Sequence, residues 1–222
     1  MQFEIVTLLS PEEAARTLTE ISRAKFGDGR STAFGLARDV KHNLQADRSA
    51  GDWATIDQQF FSALQRNREF QLFAHPKRVL PPQFSRYEPG MQYGAHVDSA
   101  VMGGDHPMRV DLSMTLFLSP PDSYDGGALA IESSSGEEEI KLAPGEAVVY
   151  PSTTMHRVTP VTRGVRLAAV TWIQSAVRDE RVRDILRDLA LSIQHAETAQ
   201  DGPAIRLLSK CYHNLLRYAV EP

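Results

Sequence analysis

Val165-Arg166-Leu167-Ala168-Ala169-Val170-Thr171-Trp172-Ile173 reads as a strand with two unlike faces. Residues two apart on an extended chain point the same way. Val165, Leu167, Ala169, Thr171 and Ile173 form one set, almost wholly apolar. Arg166, Ala168, Val170 and Trp172 form the other, which carries the charge and the large ring. Such a face suits the interior of a barrel that holds a small charged molecule.

Outward from this run, residues 83–87, 112–118, 128–132, 139–142, 147–150, 156–159 and 166–174 read as short strands. Asp125-Gly126-Gly127 and Pro144-Gly145 supply the backbone freedom of tight connections. Many short strands at this spacing favour a double-stranded β-helix, a form of jelly roll.

The flanks change period. Ser10-Pro11-Glu12-Glu13 carries a cap serine, a first-turn proline and a glutamate that can close a capping box. Ala14, Leu18 and Ile21 then follow at helical spacing, as do Ile56, Phe60 and Leu64 in a second helix over 54–66. Between these helices the chain reads as loop or irregular strand. In the tail, Val182, Ile185, Leu189 and Ile193 form one apolar stripe and Ile205, Leu208, Tyr212 and Leu215 another. Gly202-Pro203 divides them into two antiparallel helices. The expected class is α+β. A jelly-roll core over 78–175 carries an N-terminal helical support region, 1–77, and a C-terminal helical extension, 176–222.

Composition narrows the partners. In 222 residues, 42% hydrophobic and 23% charged side chains suffice for a sizeable core. A net charge of -4 exerts no general pull on nucleic acid or anionic membrane. Cys211 is the single cysteine, so no disulfide forms within the chain, and its helical setting predicts a small buried hydrophobe. No signal-type segment opens the sequence, and the apolar run 167–173 is far too short to span a bilayer. These features predict a soluble cytoplasmic protein without nucleic acid or membrane partners, its self-association undetermined. Glu137-Glu138-Glu139 reads as a solvated turn.

The chemistry lies in four side chains. A His-X-acid pair alone means little, since 7 histidines and 28 acids in this length give about 0.9 such pairs by chance. Context carries more. His96 and Asp98, two apart on an extended segment, reach one side together. His156 and Arg166 flank Pro160-Val161-Thr162-Arg163-Gly164, which reads as a hairpin turn with both residues on one face of adjoining strands. Two imidazoles and one carboxylate on one face of a metal, with open positions opposite, is the ligand set of non-haem iron(II) oxygenases. Arg166 adds a planar, permanently charged fork for a carboxylate. Alone, Arg166 would read as an exposed salt-bridge partner. His42, His75, His106, His195 and His213 have no such partners and read as surface or structural residues, while Tyr93 and Trp172 suit either the pocket or the core.

Tyr87-Glu88-Pro89-Gly90-Met91-Gln92-Tyr93-Gly94-Ala95-His96-Val97-Asp98 resembles the prolyl/lysyl-hydroxylase-type iron(II)/2-oxoglutarate dioxygenases, as does the run from His156 through Arg166 to Ile173. Over nearly its full length the chain looks more closely like the bacterial PKHD-type hydroxylases. Further stretches that carry this resemblance are Arg109-Val110-Asp111-Leu112-Ser113, Ser123-Tyr124-Asp125-Gly126-Gly127 and Tyr212-His213-Asn214-Leu215-Leu216-Arg217. The resemblance implies Fe(2+) on His96, Asp98 and His156, a salt bridge from Arg166 to 2-oxoglutarate, and a hydrogen bond to that co-substrate from Tyr87. It implies hydroxylation of an unidentified substrate by O2, coupled to release of succinate and CO2, with L-ascorbate keeping the iron reduced. Prolyl 4-hydroxylases carry lysine where this chain has Arg166, which weakens any inference toward peptidyl proline. A non-catalytic metal- or oxygen-binding jelly-roll regulator would have no use for Arg166. A metal-dependent hydrolase or isomerase would use the open positions for water. A halogenase is disfavoured because Asp98 fills the position a halide would need.

Overall fold

Strand β1 (Glu4–Thr7) opens the computed structural model, which describes residues 3–33, 35–133 and 135–220, and leads into helix α1 (Pro11–Ser22). The capping box is formed: the Glu13 N–H donates to Ser10 Oγ, and the Ser10 N–H donates to the Glu13 carboxylate. The irregular stretch that follows contains β2 (Phe26–Asp28), α2 (Gly35–Asp39), β3 (Lys41–His42) and β4 (Leu44–Ala46). Helix α3 (Ala54–Arg66) lies where its spacing predicts. A second short helix, α4 (Arg68–Ala74), restarts at once because the Asn67 side chain caps it by accepting from Phe70 N–H.

The barrel strands are β5 (Pro76–Val79), β6 (Gln83–Tyr87), β7 (Gln92–His96), β8 (Val101–Met102), β9 (Met108–Arg109) and β10 (Leu112–Phe117). They continue with β11 (Tyr124–Gly126), β12 (Leu129–Ser133), β13 (Gly136–Ile140) and β14 (Glu146–Pro151). The last are β15 (His156–Val158), β16 (Val161–Gly164) and β17 (Arg166–Ser175), before helices α5 (Glu180–Thr198) and α6 (Gly202–Ala219). A major sheet runs β1-β14-β10-β17-β6-β4-β2, with β5 also on β17, and a minor sheet runs β13-β12-β15-β7-β3. All these pairings are antiparallel.

Strands β10 and β17 are covered on both sides, which explains their near-continuous burial. Leu112, Met114, Leu116, Leu167, Ala169 and Ile173 pack outward under Ile21, Phe60, Leu64 and Phe70 of the N-terminal helices. Burying each large side chain of this kind stabilises the fold by about 1.5–3 kcal/mol. The inner faces meet at Phe117, Leu129, Ile131, Val148, Tyr150 and Val158. This is the two-sheet jelly roll with flanking helices that the strand pattern predicts. Helix α5 packs on α4, and Arg187 pairs with Glu4 at 2.6 Å, so the C-terminal pair lies against the chain's own N-terminal layer.

Several local expectations are corrected. Residues 161–164 are strand β16, paired with β11, so the route from His156 to Arg166 crosses between sheets instead of turning a hairpin. His156 therefore stands on the minor sheet and Arg166 on the major one, facing each other across the interior rather than lying on adjoining strands. The Glu137–Glu139 run lies in exposed edge strand β13, not in a turn, and Glu137 pairs with Arg157 at 2.6 Å. Cys211 is exposed, not buried. On α5 the buried residues are Arg183, Leu186, Ala190 and Ala196, whereas Ile185 is exposed. The stripe is rotated because α5 buries a charged residue: Arg183 Nη1 donates to the carbonyls of Val177 and Arg178. No helix among the described residues is long and apolar enough to cross a membrane.

Candidate active site

The two predicted histidines face each other across a strand pair. His156 on β15 is the direct partner of His96 on β7, and their ring centroids are 4.3 Å apart. Tyr93 and His96 are three positions apart on β7, yet their partners on β15 are only two apart, so β7 carries a bulge between them. That extra residue turns Tyr93 and His96, which a regular strand would send to opposite faces, onto the same one. Their rings stack with centroids 3.6 Å apart. Gly94 allows the bulge to pack: a Cβ there would lie 2.7 Å from Val40 Cβ.

Asp98 follows β7 and returns to the same side, as its spacing predicts. One ligand atom from each of His96, Asp98 and His156 lies within 4.8 Å of the others, and His156 Nε2 is 3.8 Å from Asp98 Oδ2. His96 Nδ1 lies 2.8 Å from the Gly94 carbonyl and His156 Nδ1 lies 3.0 Å from the Thr154 carbonyl. A carbonyl only accepts, so each Nδ1 carries a proton and each Nε2 is the nitrogen turned to the cluster. Burial and the neighbouring His156 push His96 down to about 4, so its ring is neutral near pH 7. Two imidazoles with oriented Nε2 atoms and a nearby carboxylate fit a divalent metal ion.

Asp98 is held from the opposite sheet. Ser113 Oγ on β10 donates to Asp98 Oδ2 at 2.5 Å and lies 2.7 Å from Ser152 Oγ. Ser113 ends one of the family-like stretches, but nothing in the sequence announces its contact with Asp98 or Ser152, because that contact depends on the approach of the two sheets. Ser113→Ala should leave Asp98 free to rotate and weaken metal binding by roughly tenfold to a hundredfold. Titration of cobalt(II) into the metal-free protein, read by its ligand-field bands, checks this.

The far end of the same cavity, about 400 Å³ in volume, is closed by Arg166. Its side chain is 1% exposed, and neither Nε nor Nη2 has a hydrogen-bonding partner among the described residues. The guanidinium carbon lies 5.1 Å from the Tyr87 ring centroid and 5.3 Å from that of Phe117. Its stem passes over Gly127, where a Cβ would come within 3.1 Å of Arg166 Cδ. A buried cation with idle donors is costly unless an anion completes it. Tyr87, the cross-strand partner of Arg166, is also buried, and burial raises its phenol above the ordinary value.

All five predicted site residues therefore line one cavity, as do Tyr93 and Trp172. His42, His75, His106, His195 and His213 are not among its lining residues. A wall that the sequence reading missed comes from residues 41–46, which leave the minor sheet at β3 and join the major sheet at β4. Lys41, Asn43 and Gln45 alternate along it and all line the cavity. The signal was an inverted alternation, polar side inward, recognisable only once the inner face is known.

Comparison with known proteins agrees with this geometry. Residues 82–174 match the model of the 2OG-Fe(II) oxygenase superfamily. The chain is 43% identical to a PKHD-type hydroxylase of Crocosphaera subtropica and 45% identical to one of Paraburkholderia phymatum, each over 98% of both chains. In fold it is similar to a Pseudomonas putida prolyl-4-hydroxylase, with TM-score 0.54 and 22% identity over 78% of this chain and 92% of that one. It is also similar to a viral collagen prolyl hydroxylase from Paramecium Bursaria Chlorella virus-1, solved as a 2OG complex, with TM-score 0.53 and 19% identity over 79% and 97% of the two chains.

Proposed function

Because the chain belongs to the PKHD-type hydroxylases of the 2OG-Fe(II) oxygenase superfamily, we propose that His96, Asp98 and His156 hold its iron(II) and that Arg166 and Tyr87 hold 2-oxoglutarate. The observation that carries this reading is the pairing of a His-Asp-His cluster with a buried, incompletely satisfied arginine in one cavity. Bound iron(II) supplies activation of O2, coupled to conversion of 2-oxoglutarate to succinate and CO2 and to hydroxylation of a second substrate.

The protein's part is placement. The Gly94 and Thr154 carbonyls orient the imidazoles, and Ser113 orients Asp98. Arg166 meets the far carboxylate of 2-oxoglutarate with two idle donors, and the aromatic faces of Tyr87 and Phe117 keep water from that contact. L-ascorbate is proposed as the reductant that rescues oxidised iron. A regulator without turnover would have no need for the Arg166 arrangement.

Anaerobic addition of 2-oxoglutarate to the iron(II) protein tests the reading. A metal-to-ligand charge-transfer band should grow and saturate, and admission of O2 should release succinate. Tyr87→Phe removes one hydroxyl and keeps the ring. It should weaken 2-oxoglutarate by ~1.5–3 kcal/mol, roughly tenfold to a hundredfold in the same titration. An unchanged affinity would assign Tyr87 to packing beneath Arg166.

A further inference from the structure

Arg166 is not the only buried cation in the cavity. Lys41 is 6% exposed and lines the wall formed by 41–46. Its Nζ donates to Thr32 Oγ1 at 2.9 Å and lies 5.1 Å from the centroid of the Tyr93 ring, which in turn stacks on His96. Among the described residues no carboxylate lies within ion-pair distance of it. Asp98 and Asp28 act on it only at longer range, and burial brings it down to about 8, still charged near pH 7.

Two residues on, Asn43 is 2% exposed, with its side chain set beside the Tyr87 hydroxyl and its Oδ1 over Gly29. Gln45 is engaged: its Oε1 accepts from Thr32 and from Gln83 Nε2. The wall thus offers one unneutralised ammonium toward the cavity, with a fixed hydrogen-bonded frame behind it. A neutral or cationic guest would leave this buried ammonium unpaired, at a cost an anionic guest avoids.

We propose that Lys41 anchors the recognition subsite for the primary substrate, and that this substrate is a small organic acid whose carboxylate pairs with Lys41. The inference rests on the assignment of Arg166 to 2-oxoglutarate. It gives the cavity two cationic poles, Arg166 for the co-substrate and Lys41 for the molecule to be oxidised. Lys41 touches neither the ligand cluster nor Arg166 in any hydrogen bond, so its charge can be removed while both remain.

The test uses the full-length zinc-loaded protein saturated with 2-oxoglutarate and probed by saturation-transfer NMR. Acetate is the carboxylate probe, acetamide its neutral counterpart, and inorganic phosphate the competing anion. Acetate should bind the parent and Lys41→Arg and weaken at least tenfold in Lys41→Gln and Lys41→Met, while acetamide gives no comparable signal and phosphate, read by competition, does not displace acetate. Lys41→Gln can keep the hydrogen bond to Thr32, which guards against a folding defect in Lys41→Met. Affinity for 2-oxoglutarate, from the charge-transfer band of the iron(II) proteins, should be the same in all four. Equal acetate binding in Lys41→Gln and the parent would overturn the inference, as would acetamide or phosphate binding as well as acetate. A parallel loss of 2-oxoglutarate affinity would also overturn it and move Lys41 to the co-substrate's site. Parent protein that failed to take up 2-oxoglutarate would instead remove the Arg166 assignment, and this inference with it.

Discussion

Single replacement of His96, Asp98 or His156 by alanine is expected to strip the protein of iron and to abolish oxygen-dependent succinate release. Among the described residues the cluster has three protein donors and none in reserve. Loss of a residue that merely orients a ligand typically costs tenfold to a hundredfold in metal affinity, so loss of a ligand should exceed about a hundredfold. Iron per protein chain after desalting, together with succinate formed under air, measures both effects. Circular dichroism should remain that of the parent, because the strands carrying these residues are paired along their backbones. Full activity in any one variant would remove that residue from the set.

Arg166→Met should produce the complementary defect, with iron retained and 2-oxoglutarate lost. Methionine keeps much of the stem that packs over Gly127 and removes the charge. The far carboxylate would then be buried without its counter-ion, at a cost of about 3–5 kcal/mol, more than a hundredfold in affinity. Arg166→Lys keeps the charge but not the fork and should fall between the two. Anaerobic titration gives each affinity directly. Thermal unfolding gives an independent reading: 2-oxoglutarate should raise the midpoint of the metal-loaded parent and leave that of Arg166→Met unmoved. A parent-like affinity in Arg166→Met would return this arginine to a structural role.

The cavity face was legible in the sequence because it obeys local rules. His96 and Asp98 are two apart on extended chain, and the alternation of 165–173 sorts Arg166 and Trp172 from Leu167 and Ile173, as their burial bears out. Helices α1 and α3 were legible from caps and spacing. What escaped depends on contacts between distant segments. Nothing near Ser113 signals that it reaches Asp98 on the facing sheet. Strand β16 hid behind a proline and a glycine that mimic a turn, although its partner β11 lies almost forty residues away in the chain. Lys41 and Asn43 violate the usual rule that strands turn apolar residues inward, so pattern alone left 41–46 as irregular chain. Arg183 misled in the same way, burying a charge where helical periodicity placed aliphatic residues.

The facing positions of His96 and His156 turn iron uptake into a gauge of folding quality. A slip of one residue between β7 and β15 would send one imidazole outward, because successive side chains alternate between faces. The bulge at Gly94 counts toward that alignment as much as the pairing does. A chain with this seam misaligned would keep much of its secondary structure yet offer only two donors. Metal stoichiometry in a preparation would then report the fraction of molecules whose minor sheet has closed in the native alignment, a quantity that absorbance and far-ultraviolet spectra average away.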